Sequence, residues 1–482
     1  MPITRMSAKK KSLFITEDGV NLTFTFALVS SLFLLWGFLN GMIDVMDKHF
    51  QDELGLTKAQ SAWVQFAHYL GYFLMSVPAG WLATKLGYKG GIILGLLIVA
   101  CGGFWFVPAT QLNSMVHDGR VSANMAFVAF LAGVCIIATG LTFLETIANP
   151  YTTVLGDKRF AATRINLAQS CNGIGWIFGP IVGSMFFYSK DAAGRSTGSE
   201  TLYIPYLAVA LVVIGLAAIF YFARMPDIAA ADDYHLDDPG AGASRSIWSH
   251  PHFVLAVAAQ FFYVAAQAGI FSFFINYMTA ELPAIPASWE TGISNVATKA
   301  GFLQGWLTGW FHTTPAGVLA LSDKGASNLA SLGFVCFLVG RFSGAGILRR
   351  FSAHKVLGLY ALLNVFMTLI VFCKLGWVSV ACVFLSFFFM SIMFPTIFAL
   401  GIFGLGARAK KASSYIVMAI MGGAILPKIM GAVADKYDMS RGFIVPMVCF
   451  VFVAFYGFNW PKFSKADSLN GATASAVGHG SE

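Results

Sequence analysis

The sequence is short of charge. Of 482 residues only 31 are Lys or Arg and 23 are Asp or Glu, 11% in all, where a soluble domain carries roughly 25%. That is too little polar surface to cover a water-soluble particle, and it excludes a large soluble core. Cysteine is scarce too. All seven (Cys101, Cys135, Cys171, Cys336, Cys373, Cys382 and Cys449) sit inside apolar runs without metal-type spacing, so they read as small packing residues and no metal is expected. Basic stripes with interleaved aromatics are missing, which removes nucleic acid as a partner despite the formal charge of +8. No nucleophile–base constellation or nucleotide loop is found, the Gly-rich stretches lying within apolar runs, so an enzyme is not expected. A cleavable signal is not expected either. Residues 1–20 are polar, with Lys9-Lys10-Lys11, and the apolar run that follows is too long for a signal core.

What is present is hydrophobic: 57% of the residues, 46 of them Phe. The apolar material comes in runs of about twenty residues, the length that crosses roughly 30 Å of hydrocarbon as a helix. Spans are predicted near 22–46, 61–82, 90–109, 125–155, 164–188 and 202–222, and again near 253–280, 329–348, 356–375, 377–405, 413–434 and 443–460. The expected class is an all-α integral membrane protein of twelve helices. Residues 1–20 and 461–482 are tails, 21–224 and 251–460 are six-helix halves, and 225–250, with Asp227, Asp232, Asp233, Asp237 and Asp238, is a solvated linker. The long segment 281–328 is compatible with an interfacial helix around 301–311 or with a stretch re-entering the membrane.

Orientation follows from the basic residues. Lys9–Lys11, Lys85 and Lys89, Lys158, Arg159 and Arg164, Arg349, Arg350 and Lys355, and Arg408, Lys410 and Lys411 all fall on one face. The excess of Lys and Arg places that face, and both termini, in the cytoplasm.

The chain also repeats itself. Phe73-Leu74 with Gly80 and Lys85 recurs in register as Phe337-Leu338 with Gly344 and Arg349, and Pro150 with Leu155-Gly156 recurs as Pro395 with Leu400-Gly401. The second span thus matches the eighth and the fourth matches the tenth. Two parallel six-helix halves joined by a cytoplasmic linker resemble the major facilitator superfamily. The loop Gly80-Trp81-Leu82-Ala83-Thr84-Lys85-Leu86-Gly87-Tyr88-Lys89 is similar to that superfamily's loop motif. The resemblance makes Gly80, Lys85, Gly87 and Lys89 a cytoplasmic gate. Thr84 stands where the motif has Asp, so the gating salt bridge that Asp supplies has no carboxylate here.

Further stretches resemble the bacterial fucose/galactose/glucose–proton symporter family: Leu35-Trp36-Gly37 with Asn40 and Asp44, Phe143-Leu144-Glu145 through Asn149-Pro150, Asn166-Leu167-Ala168-Gln169 with Asn172, Ala259-Gln260-Phe261 through Gln267, Gly340-Arg341-Phe342, His354 through Leu357, and Phe394 through Phe398. The resemblance implies that proton coupling and sugar binding centre on Asp44 in the first span and Glu145 in the fourth. Gly41 and Ile43 stand where the fucose members carry more Asn, and 281–328 looks longer than theirs. Fucose, a related hexose and an N-acetylhexosamine all remain open as substrates.

The residues support that chemistry independently. An ionised carboxylate at mid-membrane costs on the order of 3 kcal/mol, so burial favours the neutral form of Glu145, as a carrier of one proton per cycle requires. Gln would serve equally well if Glu145 were only packing glue. Asn149 follows one turn on, on the same face. Asp44 shares a face with Asn40, although Asp47-Lys48 follow at once and a solvated helix end is the alternative. Gln169, Asn172 and Trp176 line one face of the fifth span, and Gln260, Tyr263, Gln267, Phe271 and Phe274 one face of the seventh. Amides offer paired donors and acceptors to hydroxyls and aromatic rings stack on apolar C–H faces, while the alternative is amide bonding between helices. His68, with Gln65 a turn earlier, reads as a packing residue or a relay. Arg341 reads as a snorkelling cation or a member of the gate.

The expected activity is proton-coupled import of a hexose, deoxyhexose or N-acetylhexosamine by alternating access. No cofactor beyond the coupling proton is expected, and the setting is a monomer in a bacterial inner membrane. Proton-driven efflux of amphipathic compounds and a non-transporting sugar receptor are the alternatives.

Overall fold

A computed structural model describes residues 14–15, 20–117, 119–156, 161–188, 198–226, 246–299, 308–314, 317–348, 350–403, 405 and 409–464. Helices dominate because hydrocarbon offers the backbone no partner but itself. The first half holds α1 (Thr23–Leu54), the short α2 (Lys58–Ser61), α3 (Trp63–His117), α4 (Ala123–Val154), α5 (Ala161–Phe186) and α6 (Tyr203–Phe222). The second holds α7 (Pro251–Ser272), α8 (Phe274–Ala280), α9 (Ala287–Lys299), α10 (Asp323–Leu348), α11 (Ala353–Phe372), α12 (Trp377–Met390), α13 (Met393–Ile402), α14 (Ala409–Met418), α15 (Gly422–Lys436) and α16 (Ile444–Ser464). The expected linker lies mostly outside the described residues, as do both tails apart from a few residues at their inner ends.

The chain crosses the membrane twelve times. Ten of the crossings are helices apolar enough to be recognised by length and composition alone. The other two are the first part of α3 and α5, both diluted by polar residues. α3 carries two crossings joined at Gly87, whose φ of 67° and ψ of 177° lie where a side chain is disfavoured. We call the face where α1 begins and α16 ends the terminal face, and the other the opposite face.

The halves follow one plan. In the first, α1 packs on α5 and α3 on α6; in the second, α7 packs on α15 and α11 on α16. The halves meet along two seams, α5 against α10 and α3 against α15. The offset repeat read from the sequence exchanges these two seams.

The α1–α5 contact is backbone on backbone. A Cβ added to Gly175 would lie 2.2 Å from the Leu34 carbonyl oxygen and 2.5 Å from Phe38 N. Gly41 faces Gly179 so closely that a Cβ there would meet the Trp176 carbonyl at 3.0 Å, which is why no Asn fits at 41. Neither backbone can yield. Gly175→Leu is therefore expected to destabilise the fold by about 3 kcal/mol or more, read as loss of monodisperse protein on heating in detergent. Gly215→Leu, where nothing lies within 4 Å, is the control and should behave as wild type.

One expectation is corrected here. α1 has 32 residues, about 48 Å at 1.5 Å per residue, and runs to Leu54 instead of ending at 46. Its C-terminus is set by Gly55 at φ 64°, so Asp44 is far from the helix end. In the 281–328 segment the described helices are α9 and the start of α10. Residues 301–307 lie outside the described residues, and Phe311 opens a hairpin of β1 (Phe311–Thr313) and β2 (Leu319–Leu321) in antiparallel register. Gly309, at φ 76°, leaves the helical region just before that strand.

Candidate functional site

In the first half several of the buried polar residues lie in one cluster spanning α1, α3 and α4. Asp44 on α1 is 5% exposed, and its Oδ1 accepts a hydrogen bond from Gln65 Nε2 on α3 at 3.0 Å. Its Oδ2 is buried with no hydrogen-bond partner, so Asp44 is not a solvated end. On the same stripe of α3, a turn from Gln65, lies His68, its ring 5.0 Å from Tyr69 and 5.1 Å from Tyr72.

Tyr72 is the hub. Its hydroxyl accepts from Trp36 Nε1, Asn40 lies within hydrogen-bonding reach of it, and it faces Glu145 on α4. Asn40 also donates to the Trp36 carbonyl at 3.0 Å. Three helices thus hold Asp44, Asn40 and Glu145 in one polar spine. Asn149 falls one turn beyond Glu145 on α4, but its side chain lies outside the described residues.

Of the amide and aromatic faces, two members act as ties between helices. Asn172 donates to the Phe33 carbonyl of α1 at 3.4 Å, and Tyr263 Oη to the Met390 carbonyl of α12 at 2.9 Å. Trp176 bridges the halves, its ring centroid 5.4 Å from Phe271 and 4.8 Å from Phe334, and Phe271 stacks on Phe387 at 4.5 Å. Gln260 is fully buried, with neither amide atom hydrogen-bonded. Gln267 and Gln169 are half-buried.

Arg341 does not snorkel. Its Nη1 donates across the seam to the Gln169 carbonyl at 3.3 Å, its guanidinium lies 5.0 Å over the Phe337 ring, and its Nε is buried without a partner. The structure does not bring it together with the loop residues proposed for a gate. Lys85 lies 4.0 Å over the Trp81 ring, and Lys89 Nζ donates to the Ala223 carbonyl at 3.0 Å, within the first half. Gly80 sits on α3 and Gly87 makes the turn; the surroundings of Gly80 lie outside the described residues.

The opposite face is held shut by contacts between halves. Asp435 at the end of α15 accepts from the backbone N–H of Lys58 at 3.0 Å and of Ala59 at 2.9 Å, with Lys58 Nζ 3.6 Å away. Asn276 donates to Gln51, Ser184 donates to Asn328 at 2.7 Å, Ser327 donates to the Pro180 carbonyl at 2.9 Å, and Lys48 pairs with Asp323 at 3.6 Å.

The Major Facilitator Superfamily profile matches residues 22–426. The chain belongs to the major facilitator superfamily. This facilitator is 34% identical over 448 residues to the L-fucose-proton symporter of Escherichia coli (strain K12), covering 89% of its own length and 91% of that protein. It is 31% identical over 445 residues to the glucose/galactose transporter of Brucella abortus, with 92% and 96% covered. The crystal structure of a superfamily transporter, FucP, in the outward conformation superposes with a TM-score of 0.61 at 34% identity, over 91% of this facilitator and 99% of that chain. The crystal structure of a D-xylose-proton symporter, at 13% identity and a TM-score of 0.64, shares the fold.

Sequence reasoning missed Tyr72 as the hub and Trp36 as its donor. The signal was there: Tyr72 continues the stripe of Gln65 and His68 at i+7 and i+4.

Proposed function

We propose that this facilitator imports a hexose, deoxyhexose or N-acetylhexosamine together with a proton, by rocking of the halves 21–224 and 251–460 about the two seams. The basic face is read as cytoplasmic, in a bacterial inner membrane, with the monomer as the working unit. Glu145 carries the proton, and Asp44 supports it through the Tyr72 spine. Asn40, Asn149, Gln169, Asn172, Trp176, Gln260, Tyr263 and Gln267 bind the sugar. Gly80, Lys85, Gly87, Lys89 and Arg341 act on the cytoplasmic side of the cycle. With the opposite face held shut, the state is read as inward-facing.

The observation that carries this reading is the pairing of a buried carboxyl hub in one half with unsatisfied polar groups in the other. Both amide atoms of Gln260 and Nε of Arg341 are buried without partners. Leaving such groups unpaired costs about 1–3 kcal/mol each, and a hydroxyl-rich ligand offsets it. The relatives named for fucose, glucose and galactose support the same class.

The test is counterflow in proteoliposomes loaded in turn with fucose, galactose, glucose and N-acetylglucosamine. At least one is expected to exchange, and its addition outside should alkalinise the medium. Exchange of none of the four overturns the sugar reading, and acidification would point to efflux.

A further inference from the structure

Lys428 lies within a membrane-crossing helix and faces outward, between the halves. Along the α15 axis it is eight residues from Lys436, about 12 Å at 1.5 Å per residue, and level with Trp63, the first residue of α3. Its ammonium lies 3.5 Å over the indole of Trp63 on α3. The cation–π contact offsets part of the cost of a charge at this depth, but it leaves the ammonium's N–H donors aimed away from the ring without an acceptor from the contact itself.

Around this pair are two apolar grooves that share a rib. One, about 400 Å³, is lined by Trp63 and Phe66 from the first half and by Ala424, Ile425, Lys428, Ile429 and Ala432 from the second. The other, about 290 Å³, lies across Trp63 and Phe66, against Val128, Leu131 and Ala132 of α4. Ile425 and Ile429 are 42% and 47% exposed, a surface that in a bilayer faces hydrocarbon. Lys428 is the one charged residue in either lining.

We infer that the α3–α15 seam is a binding site for one anionic diacyl phospholipid, its chains lying on either side of the Trp63–Phe66 rib and its phosphate on Lys428. Two parallel apolar grooves match two chains, and a single cation at their edge matches a single anionic headgroup. A zwitterionic phosphatidylethanolamine carries its own ammonium beside the phosphate and gains less from Lys428. Because the walls of the larger groove come from different halves, the lipid spans the seam that must open when the halves rock.

The experiment uses the full chain in detergent, with native mass spectrometry after addition of phosphatidylglycerol or phosphatidylethanolamine. One phosphatidylglycerol should be retained in preference to phosphatidylethanolamine. That preference should fall about tenfold in Lys428→Gln, the loss of one charge-assisted contact, and persist in Lys428→Arg and in the control Lys436→Gln. Ala132→Trp, which fills the second groove with the charge intact, should weaken retention of both lipids. Should Lys428→Gln fail to fold, Lys428→Arg and Ala132→Trp decide. Equal retention of the two lipids by wild type overturns the site, and so does an unchanged preference in Lys428→Gln. A dimer lost on Lys428→Gln would assign the groove to a second copy and overturn it as well. None of these readouts depends on which sugar is transported.

Discussion

Glu145→Gln is expected to abolish uphill accumulation while leaving counterflow intact. Gln keeps the size and hydrogen-bonding reach of the carboxyl toward the Tyr72 hydroxyl, so the spine of Trp36, Asn40 and Tyr72 stays packed. What it removes is a proton that comes and goes. In the proposed cycle the acid crosses neutral and gives up its proton on the cytoplasmic side, which would couple transport to the membrane potential. One charge moving through 100 mV supplies about 2.3 kcal/mol, which corresponds to roughly fifty-fold accumulation. The Gln variant should equilibrate sugar to a ratio of about one under the same potential, while exchange, which needs no net proton movement, continues. Proteoliposomes with an imposed potassium-diffusion potential measure both quantities on one preparation. Uphill accumulation by Glu145→Gln would remove Glu145 as the coupling site and turn attention to Asp44, whose Oδ2 is buried without a partner.

The fold was legible because hydrocarbon demands helices of a fixed length, and ten of the crossings are apolar enough to be recognised by length and composition alone. The two crossings too polar to be recognised by composition also carry part of the candidate site. The first part of α3 is diluted by Gln65, His68 and Tyr72, and α5 by Gln169 and Asn172. Polarity tolerated inside the membrane is what marks the site from sequence. Depth was less legible. Asp44 looked terminal because Asp47, Lys48 and Asp52 follow it, yet those residues are helical too, since a helix continues beyond the hydrocarbon without leaving a hydropathy signal. Arg341 looked like a snorkelling cation because nothing in its own stretch foretells the Gln169 carbonyl, a partner on another helix 172 positions away. Tyr72 was passed over, since a tyrosine in an apolar run differs from a phenylalanine by one oxygen whose partners lie on α1 and α4.

The same limit hid the latch on the opposite face, where Asp435 meets Lys58 and Ala59 across more than three hundred residues of chain. Its geometry allows a strong prediction. The carboxylate accepts two backbone N–H groups at the start of α2, where Thr57 and Gln60 already form a capping box, and such charge-assisted bonds are about twice as strong as neutral ones. Lys58 adds a half-exposed ion pair worth less than about 1 kcal/mol. All three partners belong to the first half and Asp435 to the second, so every one of these bonds must break for the opposite face to open. Asp435→Ala should then cost the closed state roughly 2 kcal/mol, about thirty-fold in the balance between closed and open. Spin labels at Arg120→Cys and Tyr437→Cys, in a cysteine-free background, sit on the two sides of that mouth. They should show a single short distance population in the parent and a dominant longer one in Asp435→Ala. Lys436→Ala, one residue on but outside the latch, should leave the distribution unchanged. If Asp435→Ala keeps the short distance, the face is held by Ser184–Asn328, Ser327–Pro180 and Asn276–Gln51 instead, and the latch is an adornment of a seam that the packed helices already close.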